Sequence, residues 1–158
     1  MRVASYHYPA SEGPVRIVYA VLFFVLVAAL ASCGGGPSAD ELKRFDAEAT
    51  EASTAWVKLV DAGDYAKSHS TAAGFFRTAV KRDDWVEMMN ARRRPLGAAV
   101  KRTFIEYAHE TSLPGCPDGE YIILNYTTTF DKKKNAAEMV TVMRDADSAW
   151  RVAGYFIK

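Results

Sequence analysis

The chain reads as an α+β protein, with N-terminal helices packed on one face of a four-stranded antiparallel meander sheet. Three observations predict this. From Tyr121 to Ile157 the chain is rich in β-branched and aromatic residues, with apolar side chains recurring at period two. From Ala39 to Arg94 apolar residues recur every three or four positions, the period of one helix face. Short turn-forming clusters separate the strand-like runs, and short connections join antiparallel neighbours. Helices gathered ahead of such a sheet cover one of its faces.

Each element has its own signal. Ser38 and Glu41 match a capping box that opens a helix from about Ala39 to Ala62. Its apolar stripe is Leu42, Phe45, Ala49, Ala52, Trp56, Leu59 and Val60, and Gly63 is the natural stop. Asp64 caps a short second helix through Tyr65 and Ser68. Ser70 or Thr71 is expected to open a further turn through Phe75, Phe76 and Val80. Asp83 is expected to cap a helix from Asp84 to Arg94, with Trp85, Met88 and Met89 inward and Pro95 ending it. The cations Arg92, Arg93 and Arg94 suit the negative end of that helix dipole, or else form an anion site facing the sheet.

Four strands follow. Val100 to Thr111 is expected to be the first, with Phe104 and Ala108 on one side and Ile105 and Tyr107 near the other. Tyr121 to Phe130 is the second, with Ile122, Leu124, Tyr126 and Phe130 on one face. Asp131 to Asn135 breaks it, so that Lys132, Lys133 and Lys134 sit in a solvated hairpin or touch anionic headgroups. Glu138 to Arg144 is the third strand, Asp145 to Ser148 turns, and Trp150 to Ile157 closes the sheet. Trp56, Trp85 and Trp150 are expected in one core.

Composition is that of an ordinary globular chain: 158 residues, 49% hydrophobic, 25% charged, net charge +1. Only Arg2, Glu12 and Arg16 are charged among the first 32 residues, so the remainder carries equal numbers of acidic and basic side chains. A neutral domain argues against a nucleic-acid partner, which requires clustered, uncompensated cations.

The N-terminus reads as an address. Ile17 to Leu30 is fourteen residues without a charge, preceded by Arg16. A membrane span needs about twenty apolar residues, so this is the h-region of a signal peptide. Leu30-Ala31-Ser32-Cys33 follows at once and resembles a bacterial lipobox, whose cysteine is lipidated and becomes the new N-terminus. Ordinary signal cleavage nearby and an uncleaved anchor are the competing readings. The division expected is 1–33 signal peptide and lipidated Cys33, 34–38 flexible tether, and 39–158 one α+β domain. Two or more acyl chains on Cys33 would hold the protein stably at a bilayer. In lipoproteins of Gram-negative cells, Gly rather than Asp at position 34 implies the periplasmic face of the outer membrane. A cell without one would carry it on the outer face of the cell membrane. Arg16 directly before the apolar run makes Val15 a candidate start in place of Met1. Lipid on Cys33 leaves Cys116 as a lone thiol in a turn.

Chemistry is sparse. His69 and His109 stand apart, so no metal site is expected. Nucleotide and nucleophile motifs are absent, so no catalytic residue and no cofactor is assigned. His109 and Glu110 are either a general base or a solvated strand edge. Arg93, Arg102 and Glu138 fall at the helix end and in neighbouring strands, as a structural ion pair or a pocket for an anionic group.

Several stretches together resemble a bacterial family of exported proteins known as domain of unknown function 4019. They are Ala55 to Tyr65, Trp85, Arg93 to Gly97, Arg102, Leu113 to Gly115, Pro117 to Gly119, Phe130, Glu138, Val140-Thr141 and Trp150 to Ile157. The chain departs from the family at His69, where an aromatic is usual, and at Cys116, where Ala is usual. The resemblance implies an exported helix-plus-sheet domain, more distantly similar to the cystatin-like and nuclear-transport-factor-like cones, and implies no catalytic residue. The expected function is a membrane-anchored envelope lipoprotein acting as a non-enzymatic binding or accessory module. Its partners would be the membrane, through the lipid, and an envelope protein or a small anionic ligand. The alternatives are a small-molecule enzyme with a pocket at the open end of the cone, using His109 or Glu138 as base, and a purely structural envelope component.

Overall fold

The structure, a computed structural model, describes residues 36–158. Cys33, the apolar run before it and the first residues of the tether lie outside them. Ala39–Lys158 form one unit. Its helices are α1 (Ala39–Asp61), α2 (Tyr65–Ser70), α3 (Gly74–Ala79) and α4 (Arg82–Arg92), followed by a 3-10 turn at Arg94–Leu96. The strands are β1 (Ala99–Glu110), β2 (Tyr121–Phe130), β3 (Lys133–Arg144) and β4 (Trp150–Ile157), joined as an antiparallel meander in chain order.

The core lies where the helices cross one face of the sheet. Phe45, Ala49, Trp56, Val57 and Val60 of α1 pack with Ile122 and Leu124 of β2, Val140 and Val142 of β3, and Trp150 and Val152 of β4. The buried stripe of α1 is rotated slightly from expectation: Ser53 and Val57 are buried, whereas Leu42, Ala52 and Leu59 lie half-buried at its border. All three tryptophans are core residues, at 4%, 2% and 8% exposure for Trp56, Trp85 and Trp150. Trp56 donates to the Ser68 carbonyl at 2.6 Å and Trp85 to the Ser68 hydroxyl at 3.0 Å, so burial leaves neither indole N–H unpaired. A smaller cluster of Ala73, Tyr121 and Met143 is covered by Phe75, Leu113 and Cys116. That contact places Cys116 as half-buried packing in the β1–β2 loop, with a free thiol.

Gly63 stops α1 in the left-handed region, at φ +76°. Its N–H reaches the Val60 carbonyl and that of Asp64 reaches Leu59, which satisfies the last carbonyls of the helix. Asp64 then accepts from Lys67 N–H and caps α2.

Other local expectations are corrected. Ser70 and Thr71 do not open α3, because both hydroxyls donate back to the Lys67 carbonyl and close α2. The helix starts at Gly74, whose N–H is accepted at 3.1 Å by Asp145 from the β3–β4 turn. Asp83 pairs with Arg82 instead of capping α4, which starts at Arg82 and ends at Arg92; Pro95 sits in the 3-10 turn. Met88 is not inward but 39% exposed. In β1 a register shift between Phe104 and Glu106 resets the alternation, so that Phe104 and Tyr107 stack with ring centroids 4.5 Å apart rather than on opposite sides. The hairpin after Phe130 is only Asp131-Lys132, since Phe130 pairs with Lys133, and Lys133 and Lys134 belong to β3.

Two consequences are testable. Trp150→Ala removes a side chain packed on Phe45, centroids 5.6 Å apart, together with its hydrogen bond to Glu48. Truncating a buried tryptophan costs about 3–5 kcal/mol, so thermal denaturation should show a melting point lower by roughly ten degrees or more; an unchanged one refutes the packing. The second concerns Asp145 and Asp147. Hydrogen bonds from the Gly74 and Ala146 N–H groups hold the Asp145 carboxyl below its ordinary range, and Arg151 does so for Asp147. A carboxyl with a depressed folded pKa contributes its stability in full above the unfolded value of about 3.9 and loses it as pH falls through the folded value. Wild type should therefore weaken in acid urea titrations below about pH 4. Asp145→Ala should lose about 1 kcal/mol at neutral pH through the lost cap and show a shallower acid limb. An acid limb identical to wild type would contradict this.

Candidate functional site

The residues singled out by sequence converge on one buried network. Glu138 enters from β3 with a fully buried side chain. It accepts from Arg102 Nε at 2.6 Å and Arg102 Nη2 at 3.1 Å, from Thr128 Oγ1 at 2.5 Å, and from Tyr155 Oη at 2.6 Å. Those donors come from β1, β2 and β4, so one carboxylate is tied to every other strand. The outer side of Arg102 forks onto Asp61, with Nη1 and Nη2 at 3.0 and 3.1 Å from its two oxygens. Asp61 also accepts from Arg93 Nη2 at 3.0 Å. Arg93, with a side chain 3% exposed, donates further to the Gly97 carbonyl at 2.7 Å and lies over the Phe130 ring, 4.3 Å from its centroid. Its Nε has no hydrogen-bond partner.

Two guanidiniums thus face two carboxylates. Asp61 is the member that sequence reasoning missed, although it lies within the Ala55 to Tyr65 stretch. A terminal helix aspartate followed by Ala-Gly-Asp reads locally as part of a stop signal; only the fold brings it across to β1. Gly97 has φ +80°, and a Cβ there would sit 2.9 Å from that of Asp131. Glycine therefore lets the chain turn under Arg93 into β1, with the Ala98 N–H accepted by Asp131 at 3.0 Å.

Electrostatics follow the geometry. Burial opposes the charge on Arg102, yet the hydrogen bonds to Asp61 and Glu138 outweigh it and hold its pKa above the ordinary value. Burial, and then the negative charge of Glu138, push the Tyr155 hydroxyl far above its ordinary value, so it stays protonated and donates to Glu138. Tyr155 also packs against Trp56, centroids 5.3 Å apart, and joins the network to the aromatic core.

His109 lies elsewhere. Its Nε2 is 2.8 Å from Asp46 Oδ1, but out of line for a hydrogen bond, so that Oδ1 has none. Asp46 precedes Asp61 by fifteen residues on α1, which sets the two about 22 Å apart. Thr50 and Tyr107 hydroxyls meet at 2.8 Å between them. Glu110 is exposed at the end of β1. Among the described residues no group of three or more His, Cys, Asp or Glu is placed to hold a metal, and no helix is long and apolar enough to cross a membrane.

Concavities flank the network. One of about 410 Å³ touches Asp61, Tyr65, Arg93 and Arg94 and is the place an anion would enter. A more apolar groove of about 460 Å³ runs between α4 and β4. Trp85, Met88 and Met89 line it from α4, Leu96 from the 3-10 turn, and Tyr155, Phe156 and Ile157 from β4. Arg92, Arg93 and Lys133 line it too, and no carboxylate or imidazole does.

A family model described as Protein of unknown function (DUF4019) matches residues 52–155, and the chain belongs to that family. Neither the curated proteins nor the solved structures yielded a match.

The network makes a quantitative prediction. Breaking a buried ion pair by removing one partner costs about 3–5 kcal/mol, because the other charge is left unpaired. Glu138→Leu and Arg102→Met should each destabilise by about that much in urea titrations, and the double variant should recover much of the loss. Tyr155→Phe should cost about 1–3 kcal/mol. Strictly additive losses would show that Arg102 and Glu138 are not coupled.

Proposed function

We propose that this protein is an envelope lipoprotein, anchored through Cys33, whose domain is a non-enzymatic binding module with the α4–β4 groove as its binding site. The observation that carries this reading is the apolar α4–β4 groove, whose wall holds neither a carboxylate nor an imidazole. The groove has the size and apolar lining of a ligand site; of its titratable groups the Tyr155 hydroxyl is committed to Glu138 while Lys133 stands at the rim. Glu138 itself has its oxygens occupied by four hydrogen bonds, and His109 pairs with Asp46 toward the other end of α1. The anchoring half of the reading is supported by the short h-region and Leu30-Ala31-Ser32-Cys33. In a cell with two membranes the location is the periplasmic face of the outer one. The balanced charges around Asp61 favour a structural role for Arg93, Arg102 and Glu138 over anion capture.

Both halves are open to test in cells. Cys33→Ala should move the protein out of the membrane fraction or leave it unprocessed; membrane-bound protein of mature size would refute the anchor. A photoreactive residue in place of Met88, at the groove, should capture a discrete envelope component. The control is the same residue in place of Val100, which is 63% exposed on β1, the strand at the other edge of the sheet. No adduct, or the same adduct from both positions, would overturn the binding reading.

A further inference from the structure

We propose that the α4–β4 groove binds an extended peptide from a partner protein. The peptide adds to the edge of β4 at Tyr155–Ile157, inserts an apolar side chain between strand and helix, and presents its C-terminal carboxylate to Arg92 and Lys133. This rests on the groove being a binding site and names what fills it.

The hydrogen-bond register leaves this edge free to pair. Ala137 and Lys158 exchange both backbone bonds, at 3.1 and 2.9 Å. The next pairs are Glu138 with Ile157, Met139 with Phe156, and Val140 with Tyr155. Antiparallel ladders alternate bonded and non-bonded pairs. The N–H and C=O groups of Ile157 and Tyr155 therefore point away from β3. Because β4 is the outer strand, nothing pairs them from within the sheet, and they have no other hydrogen-bond partner among the described residues. Further along the same edge the Val152 carbonyl accepts from Ala73 N–H at 2.8 Å. The protein thus covers this edge near α3 and leaves it open where the groove begins.

The groove wall is cationic. Arg93 is matched by Asp61, but Arg92 and Lys133 form no ion pair among the described residues, and no acidic residue lines the groove. An anionic end complements that wall. The lining suits an apolar side chain. Met88 and Met89 have flexible, polarisable side chains that adapt to varied apolar groups. An acyl chain with an anionic head would match the charge and the lining, but it cannot satisfy two outward-facing backbone residues. A peptide strand satisfies all three, by the combination of edge pairing and carboxylate capture that peptide-binding domains use.

The test uses the full mature protein in lipid nanodiscs. The probes are a pool of hexapeptides with Val, Ile or Leu at alternate positions and a free C-terminal carboxylate, the same pool as C-terminal amides, and laurate. The free-acid pool should slow hydrogen exchange at the Tyr155 and Ile157 amides. Amidation, or Lys133→Glu, should weaken binding roughly tenfold. Ile157→Pro removes an outward N–H without touching the β3 ladder, so it should keep the fold and abolish binding. If that variant unfolds, the Lys133→Glu and amide arms decide. Binding without protection at these amides, equal binding of the amides, or protection by laurate alone would overturn the inference. If the Met88 position still captures an envelope component while the peptides fail, the peptide is wrong and the binding module stands. If it captures nothing, the binding module itself falls.

Discussion

One buried carboxylate organises this fold. Glu138 is fully enclosed, and an ion of its kind loses several kcal/mol of hydration unless its partners are well placed. Here they come from three strands, and through Arg102 and Asp61 the same network reaches α1. Such a network is weak evidence for net stability, since a well-packed apolar substitute often does as well. Its stronger effect is on register. A one-residue slip of β3 would turn Glu138 to the opposite face and leave Arg102 and Tyr155 without their acceptor. The penalty falls on every alternative pairing at once, and this is how a short meander with three similar hairpin choices commits to one.

The network also decides where function can sit. It fills the space between α1 and the strands at the Asp61 end, and Tyr155 carries it into the stack of Trp56 and Trp85. Both oxygens of Glu138 and of Asp61 are engaged there, and Arg93 Nε is the network's buried atom left without a hydrogen-bond partner. Apolar room lies outside the network, at the seam where α4 and the end of β4 meet. Arg93 stands at this junction: it touches Asp61, Gly97 and Phe130, and it lines both the anion-accessible recess and the apolar groove.

Much of this was legible in the sequence. Period-two runs marked β2 and β4 to the residue, because β-branched and aromatic residues fill them and turn-forming residues bound them. Gly63 and Asp64 marked a helix boundary because backbone conformation and a cap coincide there. What escaped was decided at long range. The cap of α3 comes from Asp145, seventy-one residues away, while nearer hydroxyls were already engaged. The bulge in β1 follows from matching Phe104 and Tyr107 to the helix side, and no local residue announces it. For the site, Arg102 and Glu138 were visible as charges inside strands, where a charge without a partner is costly. Asp61 was hidden among the stop signals at Gly63 and Asp64, although a carboxylate at the negative end of a helix dipole calls for a cationic partner. The groove was invisible for a related reason: its lining is drawn from α4, the 3-10 turn, β3 and β4, each locally ordinary.

The two sheet edges differ in a way that bears on binding. β1 is a long edge of twelve residues with Val100 and Ile105 exposed, the kind of strand that invites indiscriminate pairing. It is interrupted by two register shifts and carries charges at Lys101 and Glu106, which bend the ladder and disfavour a flat partner. β4 is managed by cover instead, with the segment before α3 bonded to Val152 and α4 standing beside the far end. Beside the groove, Tyr155 to Ile157 stay open, set against α4 and two unmatched cations, Arg92 of α4 and Lys133 of β3. An opening that short cannot template a growing sheet, because it offers too few main-chain bonds to hold a strand by backbone alone. Any strand that pairs there must be held by its side chain in the groove and its charge at the rim. An edge too short to aggregate is thus one on which sequence-specific contacts must supply most of the affinity.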